Sequence, residues 1–435
     1  MATYKELMNK LNSPQAKELF KKLYGTKTAE SSEPAERYRR IMEEHVKRFD
    51  SQEKEMLLFS TSGRTEIGGN HTDHNGGRVL AAGVSLDTIA AVTANDTGII
   101  TVYSEGYPEL FRIDLKDLDK KKEEEGTTFA LIRGIAARMK ELEYGIGGFD
   151  ACITSNVLRG SGLSSSAAFE VLICTILDHL YNQGDMDGKV NAMISQYAEN
   201  VYFGKPCGLM DQTACALGGF VTIDFKEPGK PIVRSVDFDF TSQGYSLVVV
   251  DTGGDHADLT DEYASIAQEM QQVAEVLGGK VLRDIQYEKM MKAIPHLRSK
   301  ASDRAILRAM HFFHDDQRVV EEVEALDQGD FKRFLSLVIE SGESSWRLLQ
   351  NCYVGGSTHQ GLALALAVSQ EILEGKGAWR VHGGGFAGTI QAFVPNDLLE
   401  VYVDRLDRIF GSGACTILSI RSLGSIRVDI RQFQE

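Results

Sequence analysis

The chain has 435 residues, more than one hydrophobic core organises, so two domains are expected. Its 43% hydrophobic and 25% charged content is that of an ordinary globular protein. A formal net charge of −15 disfavours nucleic acid and anionic membranes as partners, so an anionic ligand must be held by a local site.

Residues 1–55 begin with MATYKELMNKLNSPQAKELFKKLYG, a polar amphipathic helix pattern rather than a secretory leader. Lys- and Glu-rich helices follow, broken near Ser31–Pro34. The whole segment is expected to pack as a helical extension on the first domain, residues 56–240. Leu57–Ser60 reads as a short apolar strand leading into SGRTEIGGNHTDHNGG. Arg64, Asn70, His71, Asp73 and His74 are too polar for a core, and the glycines around them permit sharp turns that converge side chains on one spot. A solvated hairpin loop is the alternative. Residues 99–116 alternate as strands, Phe129–Leu142 reads as a helix, and Gly148–Ser155 as a strand.

The stretch LRGSGLSSSAAFEVLICTILDHL, Leu158–Leu180, joins a glycine- and serine-rich loop to an apolar run with helical spacing. A glycine loop running into a helix N-terminus offers unpaired N–H groups and the positive end of the dipole, which suits a phosphate. An ordinary serine-capped helix explains the same letters. Val190–Phe203 then reads as a helix ended by Gly204, followed by KPCGLMDQTACALGG. Asp211 in that segment is a cap, a buried ion-pair member or a catalytic group. Phe220–Phe225 and Tyr245–Asp251 read as strands, with the domain boundary between them near 240.

The second domain, 241–435, opens with a long acidic helix over 261–278. Further helices are expected at 283–296, 302–314, 316–327, 330–341 and 358–374. Near the end, VHGGGFAG satisfies GxGxxG, yet strand-like TIQAFV follows where a dinucleotide site needs a helix, so that site is rejected. A glycine bridge between two strands, close to a ligand or to the serine loop, fits better. No GxxxxGK[ST] occurs. No apolar run approaches the roughly 18 residues that span a bilayer. The six cysteines form no CxxC pair and suit reduced, mostly buried thiols in a cytoplasmic protein.

GRTEIGGNHTDHNGG, GKPCGLMDQ, GSGLSSSAA and VHGGGFAG together resemble the GHMP sugar and metabolite kinases, and the first two look like the galactokinases among them. The resemblance implies an α+β, two-domain GHMP kinase fold, with an N-terminal domain like ribosomal protein S5 domain 2 and a ferredoxin-like C-terminal domain. It implies ATP and Mg²⁺ in the cleft and a sugar 1-phosphate as product. Carried over by position, Asp211 is the catalytic base and Arg64 lies beside it. Asn70, His71, Asp73 and Tyr263 contact sugar. The loop Gly160, Ser161, Gly162, Leu163, Ser164, Ser165 and Ser166 binds ATP phosphate, and Ser166 and Glu199 hold Mg²⁺. The expected partners are a small sugar and ATP, with no nucleic acid and no membrane, for a monomer or weak homodimer.

Phosphoryl transfer asks for positioning and charge neutralisation, which these residue types supply. The departures from the family pattern are Asn70 for a sugar-contacting Glu, His74 for Tyr, Leu158 for Pro, Ser265 and Ile266 for a basic pair, and His382 for Thr. Asn70 removes a negative charge, which leaves a uronic acid, an amino sugar or arabinose beside galactose as substrates. A non-catalytic sugar and ATP sensor is the other alternative, against which the intact Ser166–Ala167 pair argues. Position 70, in a glycine-framed loop, is expected to carry little packing.

Overall fold

Two sheets organise the chain in this computed structural model, which describes residues 2–157, 162–227, 229–254 and 259–430. The first contains β1 (Leu57–Gly68), β2 (Arg78–Asn95), β3 (Ile99–Ser104), β4 (Leu110–Asp114), β5 (Gly148–Ser155), β6 (Phe220–Asp224) and β7 (Ile232–Val236). The second contains β8 (Tyr245–Asp251), β9 (Ala378–Val381), β10 (Thr389–Pro395) and β11 (Cys415–Leu418), in the order β11-β8-β10-β9. Chain beyond β11 returns to the first sheet, where β12 (Ile426–Arg427) pairs with β1. The first sheet runs β12-β1-β2-β5-β3-β4, with β6 on the early half of β2 and β7 outside it. Every pairing is antiparallel except β3 with β5.

The first strand does not stop at Ser60. It runs on to Gly68 with every residue buried, because layers packed on both faces supply partners for its polar side chains. Its register with β2 shifts between Ser62 and Arg64 and again between Glu66 and Gly68. Such irregularities re-aim side chains, and these two bracket Arg64 and Glu66.

Helices α1 (Tyr4–Lys10), α2 (Pro14–Tyr24), α3 (Thr26–Ala29) and α4 (Glu33–Phe49) precede the first sheet. Leu19, Phe20, Leu23, Tyr38 and Met42 bury against Leu58, Ile89, Ala91 and Cys152 of the strands. Beneath them, fully buried Asp87 accepts hydrogen bonds from Tyr24, Arg37, Ser60 and Arg421. One carboxylate thus ties the N-terminal helices, β1 and the returning C-terminal chain together. Removing one partner from a buried pair of this kind costs about 3–5 kcal/mol.

Next come α5 (Thr128–Glu141), α6 (Ser165–Tyr181), α7 (Gly188–Tyr197) and α8 (Met210–Leu217). Val171, Leu172, Ile176 and Leu177 of α6 are fully buried, each contributing about 1.5–3 kcal/mol by leaving water. α7 continues as a π-helix, Ala198–Phe203, and stops at Gly204 in the left-handed conformation.

On the second-domain side lie α9 (Thr260–Val276), α10 (Tyr287–Leu297), α11 (Asp303–Asp327), α12 (Phe331–Ser344), α13 (Gly361–Leu373) and α14 (Leu399–Phe410). The two helices expected at 302–314 and 316–327 are one helix of 25 residues. The run His314-Asp315-Asp316 between them contains no Gly or Pro to end a helix. Its carboxylates find partners off the helix: Asp315 accepts from the Asn70 backbone N–H, and Asp316 from Arg78 and Arg283.

None of the six cysteines is disulfide-bonded. Among the described residues no helix is long and apolar enough to cross a membrane.

Candidate active site

The β1 bulge aims Arg64 at the first turn of α8. Arg64 Nε donates to Asp211 Oδ1 and Nη2 to Oδ2, both at 2.7 Å, and Nη1 donates to the Gly162 carbonyl. Gly63 makes this approach possible, since a Cβ there would sit 3.0 Å from the Leu163 carbonyl, which accepts the Arg64 N–H. Burial pushes the Asp211 carboxyl up, but the Arg64 charge and the hydrogen bonds from Arg64 and Ser164 outweigh it, holding the carboxyl below the usual aspartate range. Burial opposes the Arg64 charge in turn, and Asp211 restores it, so the guanidinium stays protonated.

Ser164, the residue before α6, has φ of 56° and caps nothing; its hydroxyl donates to Asp211 Oδ2. The first N–H groups of α6 are therefore left without a side-chain cap. Ser165 and Ser166 line a cavity of about 720 Å³, walled by Tyr107, Leu131, Phe169 and Phe203. Leu163 is buried and Gly162 has φ of +72°. Gly160 and Ser161 lie outside the described residues.

His71, with φ of 56°, donates from Nε2 to the Gly384 carbonyl at 2.9 Å. Asp73 accepts from His74, and its Oδ2 lies where a side chain on Gly208 would collide, so the HTD and GLMDQ segments touch. Tyr263 on α9 donates to the Gly385 carbonyl at 2.9 Å and packs edge-on to Phe386. The glycine bridge between β9 and β10 thus meets both the first polar cluster and α9. It also meets the serine loop, because a Cβ on Gly162 would sit 3.1 Å from the His382 ring.

Asn70 departs from expectation. It is fully buried, and each of its polar atoms has a partner. Its amide donates to Glu66 Oε1 and the Gly383 carbonyl, and its Oδ1 accepts from Asn351 and Ser345. Its backbone N–H donates to Asp315, and its carbonyl accepts from His311 Nε2. Arg64 and Asn70 are not too polar for a core, because that core pairs them. The expectation that little packing depends on position 70 is wrong for the same reason.

Glu199, on the π-helix, is buried. Its Oε2 accepts from Gln212 Nε2 at 2.8 Å and from the Cys207 thiol at 3.2 Å, and Lys205 approaches Oε1 at 3.4 Å. Gln212 Nε2 also reaches Glu170, whose buried Oε1 has no hydrogen-bond partner among the described residues. Burial and the Glu199 charge push the Glu170 carboxyl far up.

Sequence reading passed over Glu66, Asn351, Arg380 and the cavity walls. Two-residue alternation from Arg64 could have found Glu66, and Phe169 stands three residues after Ser166; Asn351, Arg380, Tyr107, Leu131 and Phe203 come from elsewhere in the chain and leave no local signal.

Comparison with known proteins shows the family. Residues 130–219 match the GHMP kinases N terminal domain, and residues 43–94 match the galactokinase galactose-binding signature. The chain is 31% identical over 337 residues to a galactokinase of Streptomyces coelicolor, spanning 76% of this chain and 83% of that one. It is 32% identical over 348 residues to a galactokinase of Glaesserella parasuis, spanning 78% and 85%. The crystal structure of Lactococcus lactis galactokinase complexed with galactose superposes with a TM-score of 0.75 at 23% identity, covering 89% of this chain and 98% of that one. Methanococcus jannaschii mevalonate kinase shares the fold at a TM-score of 0.60 and 12% identity, covering 84% and 98%. A bidentate Arg–Asp pair beside an uncapped serine-loop helix, these matched segments and these relatives agree: the chain belongs to the galactokinase family of the GHMP kinases.

Proposed function

We propose that the protein phosphorylates galactose at its anomeric hydroxyl, using ATP to give galactose 1-phosphate and ADP. The observation that carries this reading is the Arg64–Asp211 pair, which stands between the serine loop and the HTD segment. The nucleotide occupies the cavity of about 720 Å³, its base against Tyr107, Phe169 and Phe203 and its phosphates on the free N–H groups of α6. His71, Asp73 and Tyr263 line the sugar side.

Asp211 accepts a hydrogen bond from the attacking hydroxyl and takes its proton as the new O–P bond forms and the bond to ADP breaks. Its low proton affinity suits a loose transition state, in which the nucleophile is deprotonated late and positioning outweighs base strength. Arg64 keeps the carboxylate aligned and places positive charge beside the transferred group. The buried Glu199 carboxylate and the Ser166 hydroxyl are the hard oxygen donors that Mg²⁺ prefers, and the orphaned Glu170 oxygen beside Glu199 fits a cationic neighbour. When bound with ATP, Mg²⁺ would neutralise phosphate charge there.

We place the protein in the cytoplasm as a monomer or weak homodimer, with no nucleic acid or membrane partner. The test is purified protein with Mg·ATP and a panel of free sugars, following ADP release and the phosphorylated product. Galactose 1-phosphate as the preferred product supports the reading, and no phosphorylation of any sugar overturns it.

A further inference from the structure

Residues two apart on a strand share a face, so Glu66 points the same way as Arg64. Glu66 is 7% exposed. Oε1 accepts from Asn70 Nδ2 at 2.8 Å and from Arg380 Nη2 at 3.2 Å. Among the described residues Oε2 accepts no hydrogen bond, and it is not one of the sealed, unpartnered atoms. Burial pushes the Glu66 carboxyl up; the Arg380 and Arg64 charges and the Asn70 hydrogen bond oppose that, and the Asp73 charge adds to it. An anionic oxygen so nearly buried and only half-satisfied is costly unless a ligand completes it. A sugar hydroxyl would do so through a charge-assisted bond.

We propose that Glu66 is a specificity-determining residue of the sugar site, its Oε2 accepting a hydrogen bond from one hydroxyl of a neutral sugar while Asn70 and Arg380 hold Oε1. This rests on the sugar-kinase reading above. The negative charge absent at position 70 is thereby present at 66, fixed by Asn70 itself. Glu66, Asp73 and Asp211 give the pocket three carboxylates, so a uronic acid would bring a fourth negative charge and is excluded.

The experiment measures kcat and KM for galactose, galacturonate and each monodeoxygalactose in the wild type and in Glu66→Gln. The wild type should use galactose and reject galacturonate. In Glu66→Gln, KM for galactose should rise about tenfold with a smaller change in kcat. One deoxy sugar, penalised about tenfold by the wild type, should be used by the variant as well as galactose is. That loss of penalty reports a direct contact, which a structural role would not produce. Identical deoxy penalties in both proteins would overturn the proposal. Should Glu66→Gln not fold, the charge-conserving double variant Glu66→Asn/Asn70→Glu keeps a carboxylate near Arg380. It should shift the penalty pattern, and a pattern identical to the wild type would again overturn the proposal. Failure of the sugar-kinase reading itself shows separately, in the wild type phosphorylating none of the sugars.

Discussion

Arg64 grips Asp211 with two parallel hydrogen bonds of 2.7 Å, Nε to Oδ1 and Nη2 to Oδ2. The fork leaves each oxygen a second lone pair, and Ser164 takes one of them on Oδ2. Oδ1 remains open to an incoming hydroxyl. Asp211→Asn keeps the shape but loses the proton acceptor and the charge opposite Arg64. Activity should fall by about 10²–10⁴ in kcat, with folding and ATP binding preserved. More than about a tenth of wild-type kcat in steady-state assays would remove Asp211 from the role of base.

Arg64→Lys should move the acidic limb of kcat/KM. Arg64 is among the groups that hold Asp211 below the usual aspartate range, against burial. A lysine cannot reproduce the planar fork, so the ionised carboxylate loses support and its pKa rises. The limb therefore shifts to higher pH, and kcat falls with it. A limb that stays in place would mean another group titrates there.

Ser166→Ala and Glu199→Gln should both weaken use of Mg·ATP, and raised Mg²⁺ should partly rescue the second. Each change removes an oxygen ligand or its charge from a hard cation. The dependence of rate on free Mg²⁺ at fixed ATP is the measurement. Unaltered dependence in both would refute the metal assignment without touching that of Asp211.

The candidate site is legible in the sequence wherever it sits on short contiguous segments that the fold brings together. GRTEIGG, GSGLSSSAA and GLMDQ each combine a glycine that permits close backbone approach with the polar side chain it delivers. Periodicity likewise exposed α6, whose apolar face is almost unbroken. The surroundings of Asn70 were hidden for the opposite reason. Its partners are Glu66, Asp315, His311, Ser345, Asn351 and Gly383, five of them more than 240 residues away. Local polarity around position 70 read as a loop, while tertiary pairing had made it core. The expected break in α11 failed similarly, because Asp315 and Asp316 answer to partners on other elements.

Glu322 gives stability a pH dependence independent of catalysis. It is fully buried, neither oxygen has a hydrogen-bond partner among the described residues, and its pKa is pushed up to about 8, first by burial and then by the Asp315 charge. In the unfolded chain it titrates as an ordinary glutamate, so between that pKa and about 8 the folded state holds one proton more. Stability from this group is full in acid and is lost as pH rises through that window, by about 1.4 kcal/mol per unit at most. Glu322→Gln has nearly the same shape and no titration. Its stability relative to wild type should therefore improve steadily from pH 5.5 to 7.5 in urea unfolding. Parallel stability curves would show that Glu322 is ionised in the fold.

Asn70→Glu tests the revised view of position 70. Read from sequence, the substitution restores a family carboxylate in a loop and should change sugar choice with little effect on folding. In the structure it removes the two N–H donors that Glu66 and the Gly383 carbonyl receive. It also places a second carboxylate against Glu66, with Glu322 and Asp315 close behind: a side chain on Gly68 would meet Glu322 at 1.9 Å, and Asp315 accepts the Asn70 N–H. Uncompensated buried charge of this kind costs about 3–5 kcal/mol. The single variant should lose that much in urea unfolding, along with sugar binding. Glu66→Asn in the same chain returns the carboxylate count to its original value and gives residue 70 an amide partner again. The double variant should therefore recover most of the lost stability, and the two changes should be strongly non-additive. A single variant as stable as wild type would mean that residue 70 faces solvent after all. Additive losses would mean that Glu66 and Asn70 do not share the bond that joins them here.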